Sequence, residues 1–141
     1  MTTGNESTFR TYQAALEEDW TFFKQKSSTL PLPLTAARDT AFHLAVCSNS
    51  KKWLDLLLHI AENDPMTMST VWNKNEYRDT PLHVAATNGN LEAVKLLVEY
   101  DKDLSHDIND KGEIPLFKAA AYGTTKVVKY LLRIETQSKR Y

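Results

Sequence analysis

The chain lacks most of the raw material from which catalytic and ligand sites are built. It has one cysteine, Cys47, among 141 residues, so no internal disulfide can form and a reducing compartment is expected. Its glycines are Gly4, Gly89, Gly112 and Gly123, too dispersed for a phosphate-cradling loop. No long apolar run is present. The densest stretch, residues 53–60, contains Asp55 and His59 and falls far short of the roughly 20 apolar residues that cross a bilayer. Residues 1–10 are polar, unlike a secretory signal. Neither sign of charge dominates: 17 basic and 18 acidic residues leave a net charge of −1, without the basic excess of a nucleic-acid binder. These absences point to one soluble domain that neither binds nucleic acid nor inserts directly into a membrane, with a cytoplasmic location expected.

What is present is repetition. Asp39-Thr40-Ala41-Phe42-His43-Leu44-Ala45-Val46 matches Asp79-Thr80-Pro81-Leu82-His83-Val84-Ala85-Ala86 and, more loosely, Glu113-Ile114-Pro115-Leu116-Phe117-Lys118-Ala119-Ala120. Thr80 lies 40 residues after Thr40, and Ile114 lies 34 after Thr80. Self-similarity at this period marks a solenoid, in which each unit buries its apolar face only against its neighbours.

Within the second unit each residue has a mechanical role. Thr80 is placed to cap a helix and Pro81 suits its first turn. Leu82, Ala85 and Ala86 form an apolar face, and Gly89 fits the left-handed position that ends the helix. Asn90 then caps a second helix whose Leu91, Val94, Leu97 and Val98 recur at helical spacing. The third unit repeats this grammar with Gly123, Thr124, Val127, Val128, Leu131 and Leu132; the first does so with Asn49, Ser50, Trp53, Leu54, Leu57 and Leu58. A degenerate unit precedes them, with Asp19 as cap before Trp20, Phe22 and Phe23, and with Gln25 and Lys26 where later units have leucines. The spacing predicts an all-α stack of antiparallel helix pairs, in units of about 9–37, 38–71, 72–108 and 109–134. Residues 1–8 are expected to be disordered, and 135–141 to form a tail.

Thr80 to Ala86, followed by Gly89-Asn90-Leu91-Glu92 and Val94 to Leu97, resembles a nearly complete ankyrin repeat. The resemblance extends over roughly residues 9–134. Departures are Ala41 and Asn49 in the first unit, for the proline and glycine, and Ile114 and Phe117 in the third, for the capping threonine and the histidine. A narrower likeness runs through Tyr12 to Trp20, Arg38 to Ala45 and Asn75 to His83. These segments look like plant ankyrin proteins whose longer members end in transmembrane helices and act in defence or stress signalling, without the membrane part. On that likeness the chain would be a fragment or a short member of the group, at the cytosolic face of a membrane if part of a longer chain.

Two stretches break the period, residues 27–37 with Leu30-Pro31-Leu32-Pro33-Leu34, and residues 61–70 with Asp64-Pro65 and two methionines. Both are read as connectors, the first alternatively as a polyproline-like ligand. No polar capping repeat follows the third unit, so its outer side is expected to be partly uncovered, and self-association there, or contact with a partner, is an expectation.

His43 and Cys47 share a helix face, as half a metal site or a nucleophile–base pair would. Yet His43 and His83 occupy the same repeat position, and no second Cys/His pair has zinc-site spacing. The resemblance implies that this histidine makes structural hydrogen bonds between units. The scattered carboxylates suggest a solvated face. No catalytic residue, metal ligand or cofactor site is expected. The resemblance implies instead a non-catalytic scaffold that binds a protein partner through its hairpin fingers and the exposed positions after the Ala-Ala pair. Those places hold Glu76, Tyr77, Asp79, Thr87 and Asn88 in the second unit; Asp110, Lys111, Glu113, Ala121 and Tyr122 in the third; and Ala36, Ala37, Asp39, Cys47 and Ser48 in the first. Tyr77 and Tyr122 are the expected energetic anchors. Trp72 either joins them or packs beneath the neighbouring hairpin. Glu76, Asp79, Asp110 and Glu113 are expected to make this face negative around Lys111 and to favour a partner with basic groups.

Overall fold

Helices begin where the sequence supplies caps. The computed structural model describes residues 3–48 and 50–138, among which there is no strand. Asp19, Ser50 and Asn90 each accept a hydrogen bond from the backbone N–H three residues on, at 3.1, 3.2 and 3.2 Å. They open α2 (Trp20–Gln25), α4 (Lys51–Glu62) and α6 (Leu91–Tyr100). Each is preceded by an inner helix: α1 (Thr3–Leu16), α3 (Ala41–Ala45) and α5 (Pro81–Asn88). A last pair, α7 (Pro115–Ala121) and α8 (Thr125–Ser138), completes the array. Gly89 and Gly123 adopt φ of +70° and +69° beyond the inner helices, the left-handed turn a side chain would resist. Asn49, expected to play the same part in the first unit, lies outside the described residues.

Boundaries differ at both ends. Helix α1 starts before the expected boundary at 9, and α8 continues past 134 into the expected tail. Ile114, unlike Thr80, offers no side-chain cap, and α7 starts on backbone hydrogen bonds alone.

The inner helices pack in series, α1 on α3, α3 on α5 and α5 on α7, while the outer helices form a second layer, α2 on α4, α4 on α6 and α6 on α8. Leu54, Leu57, Leu82, Ala86, Val94 and Leu97 are buried at these junctions. Each large aliphatic side chain so buried contributes about 1.5–3 kcal/mol as an upper figure. Phe23 closes the N-terminal end, 5.2 Å from Phe22 and 5.8 Å from Trp53 between ring centroids.

The irregular stretches are partly core. Leu30 and Leu34 are buried, so the alternating proline–leucine run spends its outer leucines on packing. Ser27 donates to Asp64 at 2.8 Å and Tyr100 donates to the Met68 carbonyl at 2.9 Å, tying residues 61–70 to both neighbouring units.

A candidate recognition groove

Three hairpin fingers project ahead of the inner helices, each closed by a backbone hydrogen bond across its base. Leu34 N–H donates to Asp39 C=O at 2.7 Å, Asn75 N–H to Asp79 C=O at 3.0 Å and Asn109 N–H to Glu113 C=O at 3.1 Å. The turn residue is left-handed in each: Arg38 at φ 65°, Arg78 at φ 60° and Gly112 at φ 73°. Fingers are stitched edge to edge by Glu76 N–H to Ala37 C=O at 2.7 Å and Asp110 N–H to Tyr77 C=O at 3.2 Å.

Side chains complete the lattice. Asn75 Oδ1 accepts from the Asp79 N–H at 3.1 Å while its amide donates to Asp39 at 3.0 Å. Asn109 repeats the arrangement one unit on, accepting from Glu113 N–H and donating to Asp79 and to Glu113 Oε1, all at 2.9 Å. Asp39, Asp79 and Glu113, expected to face a partner, therefore commit carboxylate oxygens to bonds within the array.

Behind the fingers lies a histidine ladder. The His43 and His83 Nδ1 atoms accept from the backbone N–H of Thr40 and Thr80 at 3.0 and 3.1 Å. The proton therefore sits on Nε2, which donates to the next finger's carbonyl: Asp79 at 2.8 Å and Glu113 at 2.7 Å. Both rings are buried, and desolvation holds their pKa values below the ordinary 6.5 despite those hydrogen bonds. Cys47 Sγ donates weakly to the His43 carbonyl at 3.5 Å rather than meeting the ring, and burial pushes its thiol up, away from an activated thiolate. Among the described residues no cluster of three or more His, Cys, Asp or Glu could hold a metal ion.

Between the second and third fingers and the helices behind them runs a groove with a cavity volume of about 360 Å³. Tyr77, Asp79, Thr87, Asn88, Asp110, Lys111, Glu113 and Tyr122 all line it, so the structure gathers most of the expected contact residues into one place. Tyr77 and Tyr122 are 54% and 62% exposed, leaving their rings free to be covered. Ser48 lies instead in an adjoining depression with Cys47, and Asn88 borders both. Glu76 and Asp39 line neither. Trp72 is outside the groove: its indole N–H donates to Asp101 Oδ2 at 2.9 Å, fastening the second unit's approach to the end of α6.

Val84, Asn109 and Lys118 also line the groove and were not anticipated. Val84 and Lys118 sit one helical turn before Asn88 and Tyr122, so i, i+4 spacing carried the signal. The Lys118 amine lies 5.2 Å from the Tyr122 ring centroid, a cation on an aromatic face. Asp79, Asp110 and Glu113 against Lys111 and Lys118 leave the lining slightly acidic. The arrangement offers two exposed aromatic plates, a polar floor and a rim of both charge signs, which suits recognition of a polypeptide.

Comparison with known proteins agrees with the repeat architecture. A family model described as ankyrin repeats (3 copies) matches residues 42–140. Ankyrin repeat and SAM domain-containing protein 6 of Rattus norvegicus is 35% identical over 95 residues, covering 67% of this chain and 10% of the relative. Protein phosphatase 1 regulatory subunit 27 of Homo sapiens is 42% identical over 53 residues, 38% of this chain and 34% of that protein. The chain thus spans about a third or less of these relatives. Among solved structures, a chain from the yeast ribosomal protein Rps3 in complex with its chaperone Yar1 superimposes with a TM-score of 0.77 at 24% identity, over 91% of this chain and 92% of that one, a likeness of fold. With repeat period, caps, histidine ladder and family model in agreement, the chain belongs to the ankyrin repeat family.

Proposed function

We propose that this protein is a non-catalytic scaffold that binds a protein partner in the groove between its second and third fingers. The observation that carries this reading is the convergence of Tyr77 and Tyr122 on one groove whose remaining lining, Val84 apart, is polar. Aromatic side chains that lose water on contact dominate binding energies, while flanking polar groups set register. Asp110 is exposed at the rim, so a partner segment carrying basic groups suits the slightly acidic lining. Two of the similar proteins are, by name, a phosphatase regulatory subunit and a chaperone in complex with its ribosomal protein, and both names describe partner binding. The Tyr77→Ala/Tyr122→Ala double variant should lose partners that the wild type captures from native extract. Its thermal midpoint should stay within a few degrees, because both rings are more than half exposed. Unchanged capture would remove the groove as the binding site.

The likeness of residues 12–20, 38–45 and 75–83 to plant ankyrin proteins supports a narrower reading, in which this is the cytosolic ankyrin portion or a short relative of a membrane signalling protein in defence or stress response. No helix among the described residues is long and apolar enough to cross a membrane. A run of roughly 20 apolar residues encoded downstream in the transcript would favour that reading.

A further inference from the structure

We propose that the depression between the C-terminal ends of α4 and α6 is a second binding site, for a free small molecule that carries a quaternary ammonium group. Its cavity volume is about 340 Å³, and it is lined by Glu62, Met68, Ser69, Trp72, Tyr100 and Asp101. That size falls within the roughly 300–1,000 Å³ of small-molecule pockets. It shares no lining residue with the finger groove, so the two sites act independently. The connector that breaks the repeat period builds one wall, by bringing Met68 and Ser69 to the end of α6. Two hydrogen bonds fix the aromatic walls by their polar ends. The Tyr100 hydroxyl donates to the Met68 carbonyl at 2.9 Å, and the Trp72 indole N–H donates to Asp101 Oδ2 at 2.9 Å. Both rings remain half-buried, so ring surface is presented in a geometry set before any ligand arrives.

The site is negative throughout. Glu62 and Asp101 are its charged lining residues, and among the described residues neither forms an ion pair. Lys102, next in the chain, does not line it. Burial, then the charges of Glu62 and Asp101, push the Tyr100 phenol pKa up, which places both carboxylates within electrostatic reach of the cavity. Glu62 is the last residue of α4 and Tyr100 the last of α6, so two helix C-termini add their partial negative charge. The last turn of α6 holds no basic residue to offset it. Hydrogen-bond capacity then selects the kind of cation. Asp101 already accepts from Trp72 through Oδ2 and from the Asp103 N–H through Oδ1, at 3.1 Å. An ammonium or guanidinium with N–H donors would lose water there for few free acceptors. A quaternary ammonium has no such donors. It needs negative charge, aromatic faces and a polarisable thioether, which Trp72, Tyr100 and Met68 supply beside the carboxylates.

Choline chloride titrated into the whole 141-residue chain at fixed ionic strength, followed by calorimetry and by the indole N–H resonances, tests the proposal. Binding should saturate in the millimolar range or tighter. The indole signal that moves should be the one missing from Trp72→Phe. The neutral isostere, with a tert-butyl group in place of trimethylammonium, should bind about tenfold more weakly or worse. Glu62 is exposed, so Glu62→Gln should keep the wild-type circular dichroism while weakening choline by about threefold to tenfold. Tyr77→Ala/Tyr122→Ala should bind choline as the wild type does. Absence of saturable binding at millimolar choline, equal binding of the neutral isostere, or full affinity in Glu62→Gln would each overturn the proposal. So would retention on phosphatidylcholine vesicles, or capture of a trimethyllysine peptide, without binding of free choline.

Discussion

Replacing His83 by alanine tests the physical account of the stack most directly. The imidazole is fully buried and joins two units, accepting from Thr80 N–H at 3.1 Å and donating to Glu113 C=O at 2.7 Å. His83→Ala leaves the Thr80 N–H without a partner in the interior, at about 1–3 kcal/mol, and removes one of the two donors to the Glu113 carbonyl, which keeps the Asn109 N–H. It also opens a cavity between α5 and α7. The expected loss is about 3–5 kcal/mol in urea unfolding followed by far-ultraviolet circular dichroism. At this chain length that corresponds to a fall of roughly 10–15 °C in Tm. His43→Ala should cost a similar amount, since its contacts to Thr40 N–H and Asp79 C=O, at 3.0 and 2.8 Å, are equivalent. The ladder also makes stability pH-dependent. Burial lowers both folded pKa values below 6.5, so the unfolded chain binds protons first as the pH drops. The stabilisation is complete above 6.5 and is lost as the pH falls from there towards the lowered folded values. The slope is at most about 1.4 kcal/mol per pH unit for each histidine. Each single variant should flatten it. A cost below about 1 kcal/mol for His83→Ala, with an unchanged pH slope, would refute the inter-repeat role assigned to the imidazole.

Two further substitutions probe local structure. Arg78 holds φ at 60° where the third finger has Gly112 at 73°, so Arg78→Gly should stabilise by a few tenths to about 1 kcal/mol. Gly112→Ala should cost about 1 kcal/mol from backbone strain alone, because its Cβ would meet nothing within 4 Å; thermal melts of the pair should move in opposite directions. Asn90 both caps α6 through Ala93 N–H at 3.2 Å and donates to Val46 C=O of the preceding unit at 2.8 Å. Asn90→Ala should therefore lose about 2–3 kcal/mol by chemical denaturation, more than the roughly 1 kcal/mol expected of a cap that acts only within its own helix.

Much of this fold is written locally. A capping side chain reaches a backbone N–H three residues away, and a left-handed helix end demands a residue such as glycine. Asp19, Ser50, Asn90, Gly89 and Gly123 could thus be assigned from spacing alone, and with them the helix pairs and the repeat. The groove could be read in part, since Tyr77 lies on a finger and Tyr122 just after an Ala-Ala pair, the two places that the repeat pattern leaves exposed. Partnerships made across units were not legible in the same way. That Asp79 spends an oxygen on Asn109 30 residues away, that Trp72 is drawn to Asp101 and not to the groove, and that Leu30 and Leu34 are core were settled by which segments meet in space. Phe117 shows the division most clearly. Its departure from histidine is visible in the chain, but its exposure follows from stacking, because whether a side chain is buried depends on a neighbour that local spacing does not specify.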